Sequence, residues 1–110
     1  MTISVTSRHF KAHQSLVEYA EQAVKRLGHF YDGIIKCDVV LSYENPYKRT
    51  KIAEVIVSVY RSRLTAEERS DDFFKSVDGA MGKVLAQLKK YKGRLHHKDR
   101  QTVRKVNEKV

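Results

Sequence analysis

The apolar residues of this chain change period twice, and that change limits the fold more than any other feature. From Ile35 to Tyr43, and again from Ala53 to Tyr60, they recur every second residue; before and after this region they recur every third and fourth. A period of two puts a buried face on a strand, whereas a period near 3.6 puts a stripe on a helix. Ile35, Cys37, Val39, Leu41 and Tyr43 fall on one face, with Lys36, Asp38, Val40, Ser42 and Glu44 on the other. Ala53, Val55, Val57 and Val59 alternate with Glu54, Ile56, Ser58 and Tyr60, and the β-branched residues make this the strongest strand signal. Asn45-Pro46 breaks the chain between the two runs, and a basic loop follows at Lys48 to Lys51. A weaker strand is expected over Ser62 to Glu67, after a tight connection at Arg61. Ile3, Val5 and Ser7 mark a short strand at the start.

The two flanking regions read as amphipathic helices. The first runs from about His13 to Tyr31, with Leu16, Ala20, Ala23 or Val24, Leu27 and Phe30 or Tyr31 as its stripe. Ser15-x-x-Glu18 offers a capping box there, and His13 is a competing start. Asp32-Gly33 ends it with turn chemistry. The second follows Ser70-Asp71-Asp72, whose side chains suit a helix start. Its stripe is Phe74, Val77, Met81, Val84, Leu85, Leu88, Tyr91 and Leu95, and the periodicity fades beyond about His97. Residues 98–110 read as a basic, mobile tail on a domain spanning 1–97. Strand, helix, three strands, helix predicts a two-layer α+β sandwich, β-α-β-β-β-α, with both helices on one face of a four-stranded sheet. The short connections make strands two to four an antiparallel meander, and the helix between strands one and two makes that pair parallel with a right-handed crossover.

Charge then narrows the function. The 110 residues carry a formal net charge of +9, split unevenly: +1 over residues 1–74 and +8 over residues 75–110. Such an excess favours a polyanion, nucleic acid before a membrane surface. No apolar run approaches the roughly 20 residues of a membrane span. A lone cysteine, Cys37, forms no disulfide within the chain and fits a reducing, cytoplasmic setting.

On the polar side of the second helix, Lys83, Gln87, Lys90 and Arg94 are spaced by four, three and four, so they line one face. Lys75 extends that line, Lys89 and Lys92 flank it, and glycines at 79 and 82 keep the helix surface low. Lys25 and Arg26 extend the cationic surface on the first helix. Such a face neutralises phosphates with little sequence preference; a lysine-rich solvated surface is the plainer alternative. Neither the five histidines nor Cys37 shows zinc spacing, so no metal or other cofactor is expected. Cys37 reads as a small core residue. Tyr43, Tyr47 and Tyr60 could stack on bases, although tyrosine at a strand end is more often packing. No catalytic constellation is assembled, and no enzyme is expected.

Several segments carry a resemblance. Ile3-Ser4-Val5-Thr6, Arg26-Leu27-Gly28-His29-Phe30-Tyr31-Asp32, Val39-Val40-Leu41-Ser42-Tyr43-Glu44 and Asp72-Phe73-Phe74-Lys75-Ser76-Val77-Asp78, leading into Lys83, Leu88, Lys90 and Lys92, are arranged in order over about residues 2–95. In this the chain resembles the short ribosome hibernation-promoting factor and ribosome-associated inhibitor family. The resemblance implies a fold similar in outline to double-stranded-RNA-binding domains. It implies docking on the small ribosomal subunit (16S rRNA) across the messenger channel and anticodon sites, blocking mRNA and tRNA and stabilising idle ribosomes. The family's basic positions carry over to Arg26, Lys83, Lys90 and Lys92; Lys25 and Arg94 come from helix geometry, and Lys75 stands where the family commonly has a small residue. The length leaves no room for the second, dimerising domain of long family members. The expected protein is thus a monomer off the ribosome that needs a second factor for any ribosome pairing. A general structured-RNA-binding module and a domain for acidic protein partners are the competing readings.

Overall fold

The computed structural model describes the backbone of every residue except Pro46 and Val110, and the side chains of residues 1–45 and 47–94. Its elements follow the expected order: β1 (Thr2–Ser7), α1 (Gln14–Phe30), β2 (Lys36–Tyr43), β3 (Lys51–Val59), β4 (Ser62–Ser70) and α2 (Phe73–Lys109). The expected break at Asn45-Pro46 falls partly on a residue outside the described ones. The side chains of the expected tail, 98–110, also lie outside them.

The four strands form one sheet in sequence order. β1 pairs parallel to β2, with Ile3 opposite Cys37 and Val5 opposite Val39. β2–β3 and β3–β4 are antiparallel, with Val39 opposite Val55 and Val55 opposite Ala66. The alternation therefore stacks Cys37, Val39, Leu41, Ala53, Val55, Val57, Val59 and Ala66 on one face, all buried. Leu16, Ala20, Ala23, Val24 and Leu27 of α1 close that face, as do Val77, Ala80, Met81, Val84 and Leu88 of α2. The opposite face, with Val40, Ile52, Glu54 and Ile56, carries no helix among the described residues. At the β3–β4 connection Arg61 takes left-handed backbone, φ 60°, which lets Val59 and Ser62 pair directly across a two-residue turn.

Three details depart from the expected pattern. Ile35 is 60% exposed and Ile34 is buried instead, because β2 begins only at Lys36 and the pleat does not extend back to Ile35. Phe73 is buried and Phe74 exposed, although both stand one turn before Val77. Phe73 enters an aromatic cluster with Phe10 and Tyr43, ring centroids 5.2 and 5.4 Å away, and this contact decides between the two. At the start of α1 the cap is His13, whose Nδ1 accepts from the Ser15 N–H at 3.1 Å. Glu18 pairs with Gln14 rather than closing a capping box. At α2, Asp72 Oδ1 accepts from the Phe74 N–H at 2.9 Å. The buried Ser76 hydroxyl donates to the Lys51 carbonyl at 2.7 Å, tying the helix start to β3.

Candidate nucleic-acid interface

α1 and α2 lie side by side over the sheet. The Tyr19 hydroxyl donates to Asp78 at 2.6 Å, and the Tyr19 ring meets Phe74 edge to face at 5.1 Å. This hydrogen bond and burial push the Tyr19 phenol up, against the pull of the nearby Arg26 guanidinium. Farther along the pair, Lys92 Nζ lies 4.9 Å from the centre of the Phe30 ring and donates to the Phe30 carbonyl at 3.4 Å. An ammonium at the last carbonyls of α1 meets the negative end of that helix. The two helices thus present one outer surface, away from the sheet.

Their own geometry sorts the expected binding residues. At about 100° per residue, with Gly82 taken as the outward line of α2, Lys75, Ala86, Lys89 and Gly93 fall within about 40° of it. Lys90 lies about 80° round, and Lys83, Arg94 and Gln87 about 100–140° round toward β4. Lys83 and Gln87 are accordingly not free, as the spacing had implied. Lys83 Nζ donates to the Glu67 carbonyl at 3.0 Å and sits 3.4 Å from the Glu68 carboxylate. Gln87 Nε2 donates to the Thr65 carbonyl at 2.7 Å. β4 is an edge strand, and these two side chains occupy carbonyls that would otherwise face an incoming strand.

Lys75 forms an exposed ion pair with Asp71 at 3.5 Å, worth little in water. Lys25, Arg26, Lys89, Lys90 and Arg94 stand exposed, and no ion pair joins them to another described residue. The exposed cations of the paired helices are therefore Lys25 and Arg26 of α1 and Lys89 and Lys90 of α2, with Lys89 nearest the outward line of α2 and Lys90 turned toward β4. Arg94, also exposed, lies farther round, and Lys92 is held half-buried between the helices. The glycines also separate. A methyl at Gly79 would meet the Glu68 side chain at 2.5 Å, so Gly79 makes room for that carboxylate; at Gly82 and Gly93 it would meet nothing. Close outside approach is therefore available at Gly82 and Gly93 but is not the reason for Gly79.

A second concentration of cations stands at the end of the sheet where β1 finishes and β2 turns into β3: Arg8, Lys11, Lys48, Arg49 and Lys51. Only the Lys48–Lys51 part was visible as a run in the sequence, because folding is what brings residues 8–11 beside it. Among the described residues no helix is long and apolar enough to cross a membrane, and no group of metal-ligating side chains forms.

The family model described as sigma 54 modulation protein / S30EA ribosomal protein matches residues 3–96, nearly all of the region whose side chains are described. The chain belongs to this family. Within it, the chain is 26% identical over 78 residues to a ribosome hibernation promoting factor of Acidithiobacillus ferridurans, covering 71% of this chain and all of that one. A ribosomal subunit interface protein from Coxiella burnetii has a similar structure, with a TM-score of 0.76 and 30% identity over 84% of this chain and 99% of that one. The N-terminal domain of Thermus thermophilus Protein Y matches with a TM-score of 0.71 and 25% identity, over 83% of this chain and 99% of that one. These S30EA-family structures share the four-stranded sheet and paired helices described above.

Proposed function

We propose that the chain is a ribosome hibernation factor. It binds the rRNA of the small subunit at the decoding region through the outer surface of α1 and α2. There it excludes mRNA and tRNA and holds the ribosome idle. The observation that carries this reading is that the paired helices expose Lys25 and Arg26 on α1 and Lys89 and Lys90 on α2, none of them in an ion pair with another described residue. Membership of a family whose relatives are named as ribosome hibernation promoting factors supports it. So does the +8 net charge of residues 75–110.

In this reading the protein works in the cytoplasm, alters no covalent bond and is a monomer off the ribosome. Pairing of ribosomes requires a second factor. Lys83, Gln87 and Lys92 act mainly by holding the helices in place, and Lys75, Arg94 and the basic C-terminal residues add to the attraction. Binding dominated by phosphate contacts weakens steeply as salt rises, because released counterions drive it. Ultracentrifugation of the full chain with purified small subunits over a range of salt tests this. The expected result is co-sedimentation at low salt that is lost as salt increases. Absence of binding at low salt, or binding indifferent to salt, contradicts it.

A further inference from the structure

The second cationic region surrounds a cleft that the helix face does not use. The cleft has a volume of about 660 Å³ and is lined by Arg8, His9, Phe10, Tyr43, Glu44, Asn45 and Arg49. That volume lies within the range of small-molecule sites. Its floor is aromatic: Phe10 packs edge to face on Tyr43 at 5.1 Å and stacks on Phe73 at 5.2 Å. Left-handed backbone at His9, φ 64°, and the Ser7 hydroxyl donating to the Phe10 carbonyl at 2.8 Å fold this segment back onto β2.

The wall is cationic. The Arg49 guanidinium lies 5.1 Å from the centre of the Tyr43 ring, and Lys51 Nζ lies 5.8 Å from it. The one carboxylate in the lining, Glu44, is already held by Arg69 at 2.8 Å. Between the lining residues Asn45 and Arg49, Tyr47 is 95% exposed. Asn45 Oδ1 holds the backbone there, accepting from the N–H groups of both Tyr47 and Lys48 at 2.9 and 2.6 Å. Guanidinium and ammonium groups around an aromatic-floored cleft, with an exposed tyrosine on the loop that joins two of the lining residues, are the elements that stack an unpaired base while cations take the neighbouring phosphates.

We propose that this cleft is a subsite for single-stranded RNA, with Tyr47 and Arg49 stacking one unpaired base and Arg8, Lys48 and Lys51 holding the flanking phosphates. The identity of the polymer as RNA rests on the function proposed above; the subsite itself rests on the cleft. A base-reading site on the same molecule as a phosphate-reading helix face would let the protein distinguish a single strand beside a structured one from duplex alone.

The test uses the full chain and fluorescein-labelled hexauridylate and hexaadenylate, with linear hexaphosphate and a hexa-aspartate peptide as base-free anions. The expected result is that Tyr47→Ala weakens hexanucleotide binding about tenfold while Tyr47→Phe does not, since a stack contributes a few kcal/mol at most and needs only the ring. Backbone amides of residues 8–10, 43–45 and 47–49 should shift on adding hexanucleotide, and those of Phe10, Tyr43 and Tyr47 should stay unmoved by hexaphosphate or hexa-aspartate, which engage only the cations. Equal affinity of Tyr47→Ala and the unaltered chain overturns the proposal, as do shifts confined to α1 and α2, or equal cleft shifts with either base-free anion. With Tyr47 almost fully exposed, its replacement leaves the fold intact, which the thermal melt checks. Sedimentation with small subunits, run in parallel, separates the two readings. Ribosome binding without a hexanucleotide effect sinks only the cleft; hexanucleotide binding without ribosome binding sinks only the hibernation reading.

Discussion

Lys83 donates to the main-chain carbonyl of Glu67 across 3.0 Å, so a lysine that its spacing assigned to a ligand face is also a cover for a sheet edge. Gln87 does the same at Thr65. Replacing Gln87 with Ala should lower stability by about 1 kcal/mol, the usual net worth of one hydrogen bond. The matching Ala86→Gln change, on the outward side of α2, should stay within about half a kcal/mol. Urea unfolding of both variants measures the difference. Lys83→Glu is a poor probe of ligand binding, because it sets a carboxylate against Glu68.

Gly79 and Gly82 of α2 should respond differently to the same substitution. Gly82→Ala fills open space and should stabilise the helix by up to about 1 kcal/mol. Gly79→Ala drives a methyl into the Glu68 side chain and should give no such gain. In a Glu68→Ala background the obstruction is gone, and Gly79→Ala should then stabilise as Gly82→Ala does. Denaturant midpoints of the four variants decide this; a full gain for Gly79→Ala alone would contradict the packing described.

Cys37 is fully buried, and desolvation, aided by the neighbouring Asp38, pushes its thiol up to about 12 from an ordinary value of 9.0. The folded state thus keeps a proton that the unfolded chain releases. The stability this confers is whole below about pH 9 and is lost as pH rises toward 12, at about 1.4 kcal/mol per pH unit for one group. Cys37→Ala should cost a few kcal/mol at neutral pH and show a shallower alkaline decline. Thiol-reagent kinetics give a second check, with reaction slow in the folded protein and fast in denaturant.

Most of the fold was legible because alternation and helical spacing each repeat often enough to fix a phase. Ala53 to Val59 left no doubt about which face is inward, and β1, with only Ile3 and Val5, was placed by its position before a helix. The errors sit at ends, where a pattern has no further repeats to correct it. Ile34 and Ile35 differ by one residue at a strand start. Phe73 and Phe74 are both one turn before Val77, and only the distant Phe10 and Tyr43 choose between them. The candidate site was legible as a cationic helix but not in its orientation. Lys83 and Lys89 are equivalent in charge, and only the position of β4 beneath α2 shows which one is occupied. The cleft at the other end of the sheet was invisible, since its cations come from segments some 40 residues apart.

Binding of purified small subunits by charge-reversed variants tests the central claim most directly. Arg26→Glu with Lys89→Glu reverses one cation on each helix, both exposed; Lys36→Glu with Arg63→Glu makes the same change of net charge away from that face. Both pairs should melt close to the unaltered chain. The account predicts that the helix pair loses at least tenfold in affinity, with a shallower dependence on salt as phosphate contacts disappear. The control pair should change no more than about twofold, as expected of charges beyond screening distance from the RNA. Equal losses in the two variants would mean that net charge alone drives association, and the paired-helix face would not be the binding site.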